Sequence, residues 1–169
     1  MTGPASPDKL PVHVRLATPA DTPAMLELTR TIWEGQDYVP QAWAGWLEEP
    51  GGRLVVAEWQ GRVVGLSMLS RYSPTDWWLH GLRTHPEFEG RGVASALHDD
   101  QVGYWQAHGA GELRLATNSK RLAVHHLCAR TGFEKIGEFT WYEAEPLPGL
   151  PPGVFRPLES GEAPEALRV

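Results

Sequence analysis

Pro86-Glu87-Phe88-Glu89-Gly90-Arg91-Gly92-Val93-Ala94-Ser95-Ala96-Leu97 is the stretch that decides the fold. Residues 77–84 before it read as a strand, and residues 92–108 read as a helix with Val93, Ala96, Leu97 and Tyr104 on its inner face. A strand, a glycine-rich turn and an immediate helix point several backbone N–H groups outward, where the helix dipole adds positive potential. Glycines there leave no Cβ between the backbone and a bound phosphate. A diphosphate is the natural ligand, and Arg91 is a natural partner for it. An ordinary tight turn between strand and helix also carries Gly-x-Gly, so the loop must be read with its surroundings. No Gly-Lys-Ser/Thr follows, which excludes a Walker loop. The first glycine of a dinucleotide fingerprint is missing, and no βαβ unit precedes the turn.

Working outward, residues 12–16 read as a first strand. Thr18 is a candidate N-cap, Pro19 takes the first helical position and Asp21 the third, where acid suits the dipole. Met25, Leu28 and Ile32 recur at helical spacing and give that helix one buried stripe. Gly35 and Pro40 break the pattern, and residues 42–49 read as a second helix carrying Trp43 and Trp46. Residues 54–59 and 62–71 are β-branched runs around Gln60-Gly61, a hairpin with a two-residue turn. Beyond the central helix come a strand over 112–117, a helix over 120–130 and a strand-like run over 133–144. Gly132 and Phe133 form a left-handed cap between the last two. This order predicts an α/β (α+β) mixed sheet of about six or seven strands with about four helices on both faces.

Residues 1–145 read as one domain. Pro146, Pro148, Pro151 and Pro152 with Gly149 and Gly153 mark residues 146–169 as an irregular connector and tail, with an edge strand expected at 154–158. Residues 160–169 also resemble the start of a further helix. At 169 residues and 41% apolar composition the chain can bury one substantial core and is not disordered by composition. No apolar run approaches the ~20 residues of a membrane-spanning helix, and Met1 to Leu10 lacks the apolar core of a signal peptide. A net charge of −6 argues against nucleic acid as a partner. Cys128 is the single cysteine, so neither an internal disulfide nor a cysteine-rich metal site is expected, and a cytoplasmic location is. No metal is expected, and the oligomeric state is left as monomer or homodimer.

Glu89 to Ala94 resembles the Gln/Arg-x-x-Gly-x-Gly/Ala motif of the GCN5-related N-acetyltransferase (GNAT) superfamily, with Gly92 and Ala94 at its last two fixed positions. Glu89 departs from it by placing a carboxylate where the family prefers Gln or Arg. Gly81-Leu82-Arg83-Thr84-His85-Pro86 looks like the family's fourth strand, and Ala129-Arg130-Thr131-Gly132-Phe133 resembles the end of its last helix. Trp33-Glu34-Gly35-Gln36-Asp37-Tyr38-Val39-Pro40, with Trp43, Trp46-Leu47 and Gly81-Leu82-Arg83, is similar over a short span to the histidine N-acetyltransferase group.

The resemblance implies acetyl transfer from acetyl-coenzyme A to an amine by direct attack in a ternary complex. The coenzyme contacts it implies are the backbone of Leu82, Arg83 and Thr84 and the loop Glu89, Gly90, Arg91, Gly92, Val93, Ala94 and Ser95. Asn118 and Arg121 contend for the pantetheine contact, Asn118 with an N-cap as its other reading. His80 is the best-placed base on the fourth strand, or else a histidine hydrogen-bonded within the sheet. Glu34 and Asp37 are rival bases, or solvated loop carboxylates. The family's tyrosine, four residues before the glycine of Gly-Phe, is replaced by Cys128, which is either a weak proton donor or a small buried hydrophobe. Water, Ser119 or Tyr142 stands as an alternative donor.

Eight tryptophans are many for this length. Trp33, Tyr38, Trp78 and Trp141 are the residues expected to box a small-molecule amine, an amino acid among the candidates, with Asp37 available to a cationic acceptor. Two other readings stay open: acetylation of a protein, and a coenzyme-A-binding sensor module with little catalysis.

Overall fold

The computed structural model describes residues 9–143. The chain divides into two compact units, Met1–Glu134 and Lys135–Val169. In the first unit β1 (His13–Leu16), β2 (Arg53–Trp59), β3 (Arg62–Ser73), β4 (Asp76–Thr84) and β5 (Glu112–Arg114) form one sheet in chain order. The first four pair antiparallel, and β5 joins β4 in parallel. Helices α1 (Thr22–Thr29) and α2 (Val39–Glu48) connect β1 to β2, α3 (Val93–His108) connects β4 to β5, and α4 (Leu122–Arg130) follows.

Most local signals act as expected, but the helix read from Pro19 through Ile32 divides into a 3-10 turn at Pro19–Asp21, α1 at Thr22–Thr29 and a second 3-10 turn at Ile32–Gly35. Around the first 3-10 turn, with Pro19 at its start, the Thr18 amide and hydroxyl donate to Asp21 Oδ2 at 2.8 and 3.1 Å, and the Asp21 amide donates to the Thr18 carbonyl at 3.0 Å. Arg15 donates to both oxygens of Asp21 at 2.8 and 2.9 Å, tying β1 to that turn and holding the carboxyl below its usual range. Gln60 and Gly61, at φ 50° and 77°, make the tight β2–β3 turn. Gly132, at φ 81°, closes α4, and the Phe133 amide donates to the Cys128 carbonyl at 3.0 Å.

Alternation along the strands puts apolar residues on both faces. One face packs Leu54, Val56, Leu66 and Met68 under Met25 and Leu28 of α1 and Val39, Trp43 and Trp46 of α2. The other packs Val55, Ala57 and Val64 against Val93 and Leu97 of α3, with Leu69, Trp77 and Leu79 in a neighbouring cluster. Gln101 is fully buried on α3 and fixes that helix by donating to the carbonyls of Arg53 and Ser67 at 2.9 and 3.2 Å.

Three expectations need correction. The described residues hold five strands rather than six or seven. The run over 133–144 is no strand as far as residue 143: Phe133 follows the α4 cap, and residues 135–143 of the second unit carry neither helix nor strand. Ile136, Phe139, Trp141 and Tyr142 are exposed there. Their β-propensity describes what a pleated surface tolerates, and it makes no ladder by itself. The fifth strand also stops at Arg114, short of the expected 117. The edge strand expected at 154–158 lies outside the described residues.

His98 on α3 is 1% exposed, and its Nε2 lies 2.8 Å from Thr131 Oγ. Thr131 Oγ also lies 2.9 Å from the Leu127 carbonyl, so its hydroxyl links the ring to the end of α4. Burial holds the imidazole below its ordinary value, against the pull of Asp99. Above the unfolded value of about 6.5 the ring is neutral in both states; below it the unfolded chain binds the proton first, so acid lowers stability. Urea titrations are expected to show stability falling between about pH 7 and 5, with His98→Leu flattening that slope. An unchanged slope in the variant refutes the assignment.

Candidate functional site

The site begins where β4 leaves its neighbours. Leu66 pairs with Arg83 and Met68 with His80, so Ser67 on β3 faces both Gly81 and Leu82 on β4. That is a bulge, and Gly81 adopts φ 65° within it. A Cβ on Gly81 would sit 2.8 Å from the Trp46 ring, so glycine is required by conformation and by space. On the opposite edge β4 pairs with β5 only through Asp76, Trp77 and Trp78. Arg114 pins that short joint by pairing with Asp76 and Glu112. From Leu79 to Thr84 the outer edge of β4 has no strand partner among the described residues. The bulge and this free edge place Leu82, Arg83 and Thr84 where two parallel strands part.

Directly after β4, His85 accepts from the Glu87 amide and Pro86–Phe88 make a 3-10 turn. Glu89 follows in extended conformation, then Gly90 and Gly92 at φ 73° and 87°, then α3. Among the described residues no carbonyl or side chain accepts from the amides of Gly90, Gly92, Val93, Ala94 or Ser95. Arg91 pairs with no carboxylate among the described residues, and its guanidinium lies 5.8 Å from the ring centres of Trp59 and Phe88. Glu89 is exposed, and Glu87 is paired with Arg62 at 3.0 Å. The open amides with the unpaired Arg91 fit a diphosphate.

The other wall is aromatic. Trp33 and Tyr38 stack at 6.3 Å, Tyr38 meets Trp46 edge-on at 6.0 Å, and Trp46 meets His80 at 4.9 Å. Arg83 lies 4.8 Å from the Trp33 ring centre and 5.3 Å from that of Tyr38. It donates to both oxygens of Asp37 at 2.8 and 2.9 Å. Asp37, 1% exposed, also accepts from the Val39 amide at 3.1 Å and so caps α2. Trp33 and Glu34 take φ 47° and 58° ahead of Gly35 at 85°, a run of left-handed residues that turns the loop back over Arg83.

The sequence-predicted residues therefore separate. His80, Trp33, Tyr38, Asp37 and Arg83 come together, and Trp78 shares the His80 face of β4 two residues away. Asp37 is occupied by Arg83 and the cap, and Arg83 by Asp37 and the Leu82 carbonyl at 3.1 Å. Glu34 is exposed on the strained turn. His80 lies 2.8 Å from Ser70 Oγ, and burial lowers its affinity for a proton, with Glu49 pulling the other way. Cys128 on α4 is half-buried, and burial raises its thiol, which stays protonated. Asn118 accepts from the Lys120 amide at 2.9 Å within the turn before α4, and Arg121 opens that helix exposed. Trp141 belongs to the second unit and is 87% exposed.

Local reading missed Lys9. Its methylenes lie within 3.3–3.7 Å of where a Gly92 Cβ would stand, and the Leu10 amide donates to the Arg91 carbonyl at 2.9 Å. No local pattern could signal a contact so distant in the chain.

A model of the acetyltransferase (GNAT) family matches residues 22–133. Histidine N-acetyltransferase of Scomber australasicus is 30% identical over 101 residues, 57% of this chain and 30% of that protein, so the chain spans under a third of its length. N-alpha-acetyltransferase RimI of Mycobacterium tuberculosis is 28% identical over 134 residues, 77% of this chain and 83% of that protein. Among solved structures, AAC(6')-Iy in complex with the bisubstrate analog CoA-S-monomethyl-acetylneamine superposes with a TM-score of 0.64 at 19% identity, covering 79% of this chain and 98% of that one. At that identity the likeness speaks for the fold.

Two substitutions test the architecture of the wall. Gly81→Ala is expected to destabilise by about 2 kcal/mol or more, because it strains the backbone and drives Trp46 outward. Arg83→Met strands a buried carboxylate and is expected to lose about 3–5 kcal/mol. Denaturant unfolding reads both, and a loss under about 0.5 kcal/mol in either contradicts the corresponding contact.

Proposed function

Since the chain belongs to the acetyltransferase (GNAT) family, we propose that it moves an acetyl group from acetyl-coenzyme A to the amine of a small molecule. The observation that carries this reading is the junction of a parted β4 edge with a glycine-rich turn whose amides have no acceptor among the described residues. Gly90 through Ser95 and Arg91 bind the diphosphate, and the open edge of β4 takes the pantetheine arm as an added strand would be taken. The bound cosubstrate supplies the activated acetyl thioester. Asn118 and Arg121, at the approach to α4, are further candidates for that arm.

Backbone N–H groups between Leu82 and Thr84 stabilise the charge that develops on the acetyl oxygen. An amine attacks only when neutral, and a free α-amino group titrates near ~8, so modest help from a base suffices. His80 fills that role: burial lowers its proton affinity and so favours the neutral ring, which lies beside the aromatic wall. Glu34 is the second candidate, acting through water from the exposed turn. Asp37 holds Arg83 and orders the wall instead of taking a proton. Cys128, kept as a thiol, can return a proton to the departing sulfur but is no nucleophile at neutral pH.

Trp33 and Tyr38 present flat, half-exposed faces to the acceptor. They suit a compact amine bearing a ring or a cation. The partial match to histidine N-acetyltransferases supports a free amino acid as that amine. A second reading, acetylation of a protein N-terminus, is supported by the broader overlap with RimI.

Thiol release from acetyl-coenzyme A is to be measured against free amino acids, other small amines and N-terminal peptides. Turnover with free amines supports the proposal, peptide-only turnover supports the second reading, and tight coenzyme binding with no turnover indicates a sensor. His80→Gln is expected to lower kcat about ten- to a hundredfold at pH 7 and distinctly less at pH 9, where the amine is already neutral. An equal loss at both values removes His80 as the base.

A further inference from the structure

We propose that Lys9, on the segment preceding β1, is a coenzyme-phosphate contact that completes the loop from outside the family-matched region. The inference rests on the acetyl-coenzyme A reading above and deepens it. The family match begins at residue 22, so nothing in it assigns a role to Lys9.

Three observations place this side chain. The Leu10 amide donates to the Arg91 carbonyl at 2.9 Å, and Leu10 packs in the apolar cluster that holds Phe88 and Val93 on either side of the loop. Residue 9 is thus docked on the loop by one backbone bond and one apolar anchor. Its Cγ, Cβ and Cδ lie 3.3, 3.5 and 3.7 Å from the position a Gly92 Cβ would take, so the stem runs across the face that glycine leaves open. Finally, Lys9 is exposed and has no ion pair or hydrogen bond among the described residues.

A lysine that lays its methylenes on a surface keeps its ammonium in water at the end of the stem. Here that surface is the turn carrying Arg91, unpaired among the described residues, and the five amides without acceptors there. Charge supplies the reason for a second cation. The chain carries −6 overall, and Glu89 stands where the family motif has Gln or Arg. Glu87 is already balanced by Arg62. A coenzyme bearing a diphosphate and a 3′-phosphate meets only Arg91 among the loop's own side chains. Lys9 adds a rotatable point charge that follows a phosphate without a fixed fork. Arg91 and Lys9 then flank Gly92, whose φ of 87° is the conformation that favours glycine there.

The test is calorimetric titration of the full chain with coenzyme A and with 3′-dephospho-coenzyme A, for wild type, Lys9→Gln and Lys9→Arg. At low salt Lys9→Gln is expected to bind coenzyme A about three- to tenfold more weakly, with Lys9→Arg within about twofold of wild type. The difference shrinks as salt is raised, since an exposed contact is screened. An equal loss with both ligands assigns the contact to the diphosphate, and a loss confined to coenzyme A assigns it to the 3′-phosphate. Unchanged affinity in Lys9→Gln overturns the proposal. Equal weakening in both variants, with lower unliganded melting temperatures, also overturns it, because it marks a purely structural role. Failure of the wild type to bind coenzyme A removes the functional reading itself, a separate outcome.

Discussion

The irregularity at Gly81 governs the site more than any side chain does. One extra residue on β4 against β3 twists the strand locally, and a left-handed glycine is what lets the chain take that turn. The missing side chain also admits Trp46, whose ring packs where a methyl would stand and meets His80 edge-on. Beyond this point β4 keeps its bonds to β3 and, among the described residues, faces no strand on its other edge. A sheet ordinarily hides its edges, and one left open beside a ring of unclaimed amides is suited to an extended guest.

Electrostatics on the aromatic wall run opposite to the simplest reading of the loop. A carboxylate between Trp33 and Trp43 invites the idea of a partner for a cationic acceptor. Asp37 is instead buried, doubly bonded to Arg83 and committed to the start of α2. Such a pair adds little net stability, because desolvation offsets most of the attraction. Its value is geometric: the guanidinium is a flat platform fixed at one height, and Trp33 and Tyr38 lie against it. The left-handed turn through Trp33 and Glu34 is tolerated because these contacts over-determine it.

Much of this was legible in sequence wherever the determinant was local. The Gln60-Gly61 turn, the Gly132 cap and the glycine-rich turn into α3 each rest on residues a few positions apart, and each turn forms where it was read. The order of strands and helices follows from the same signals. What was not legible depends on distance. Asp37 meets Arg83 and Lys9 meets Gly92 only after the sheet exists. The run at 133–144 looked like a strand because Ile136, Phe139 and Trp141 have strand propensity, yet pairing is a property of two segments. The bulge left only a faint trace, a glycine inside an apolar strand.

The order of the sheet has a consequence for how the molecule holds together. From β1 to β4 every strand lies beside its predecessor in the chain, and the last two of these joints are made by tight turns. The β4–β5 joint alone spans the whole of α3, and it is held by three residue pairs. The seam with the fewest ladder bonds is therefore one that a long connection must close, and it has few bonds to offset that entropy. A guest wedged into that seam would act as mortar, lending cohesion where the polypeptide itself supplies least.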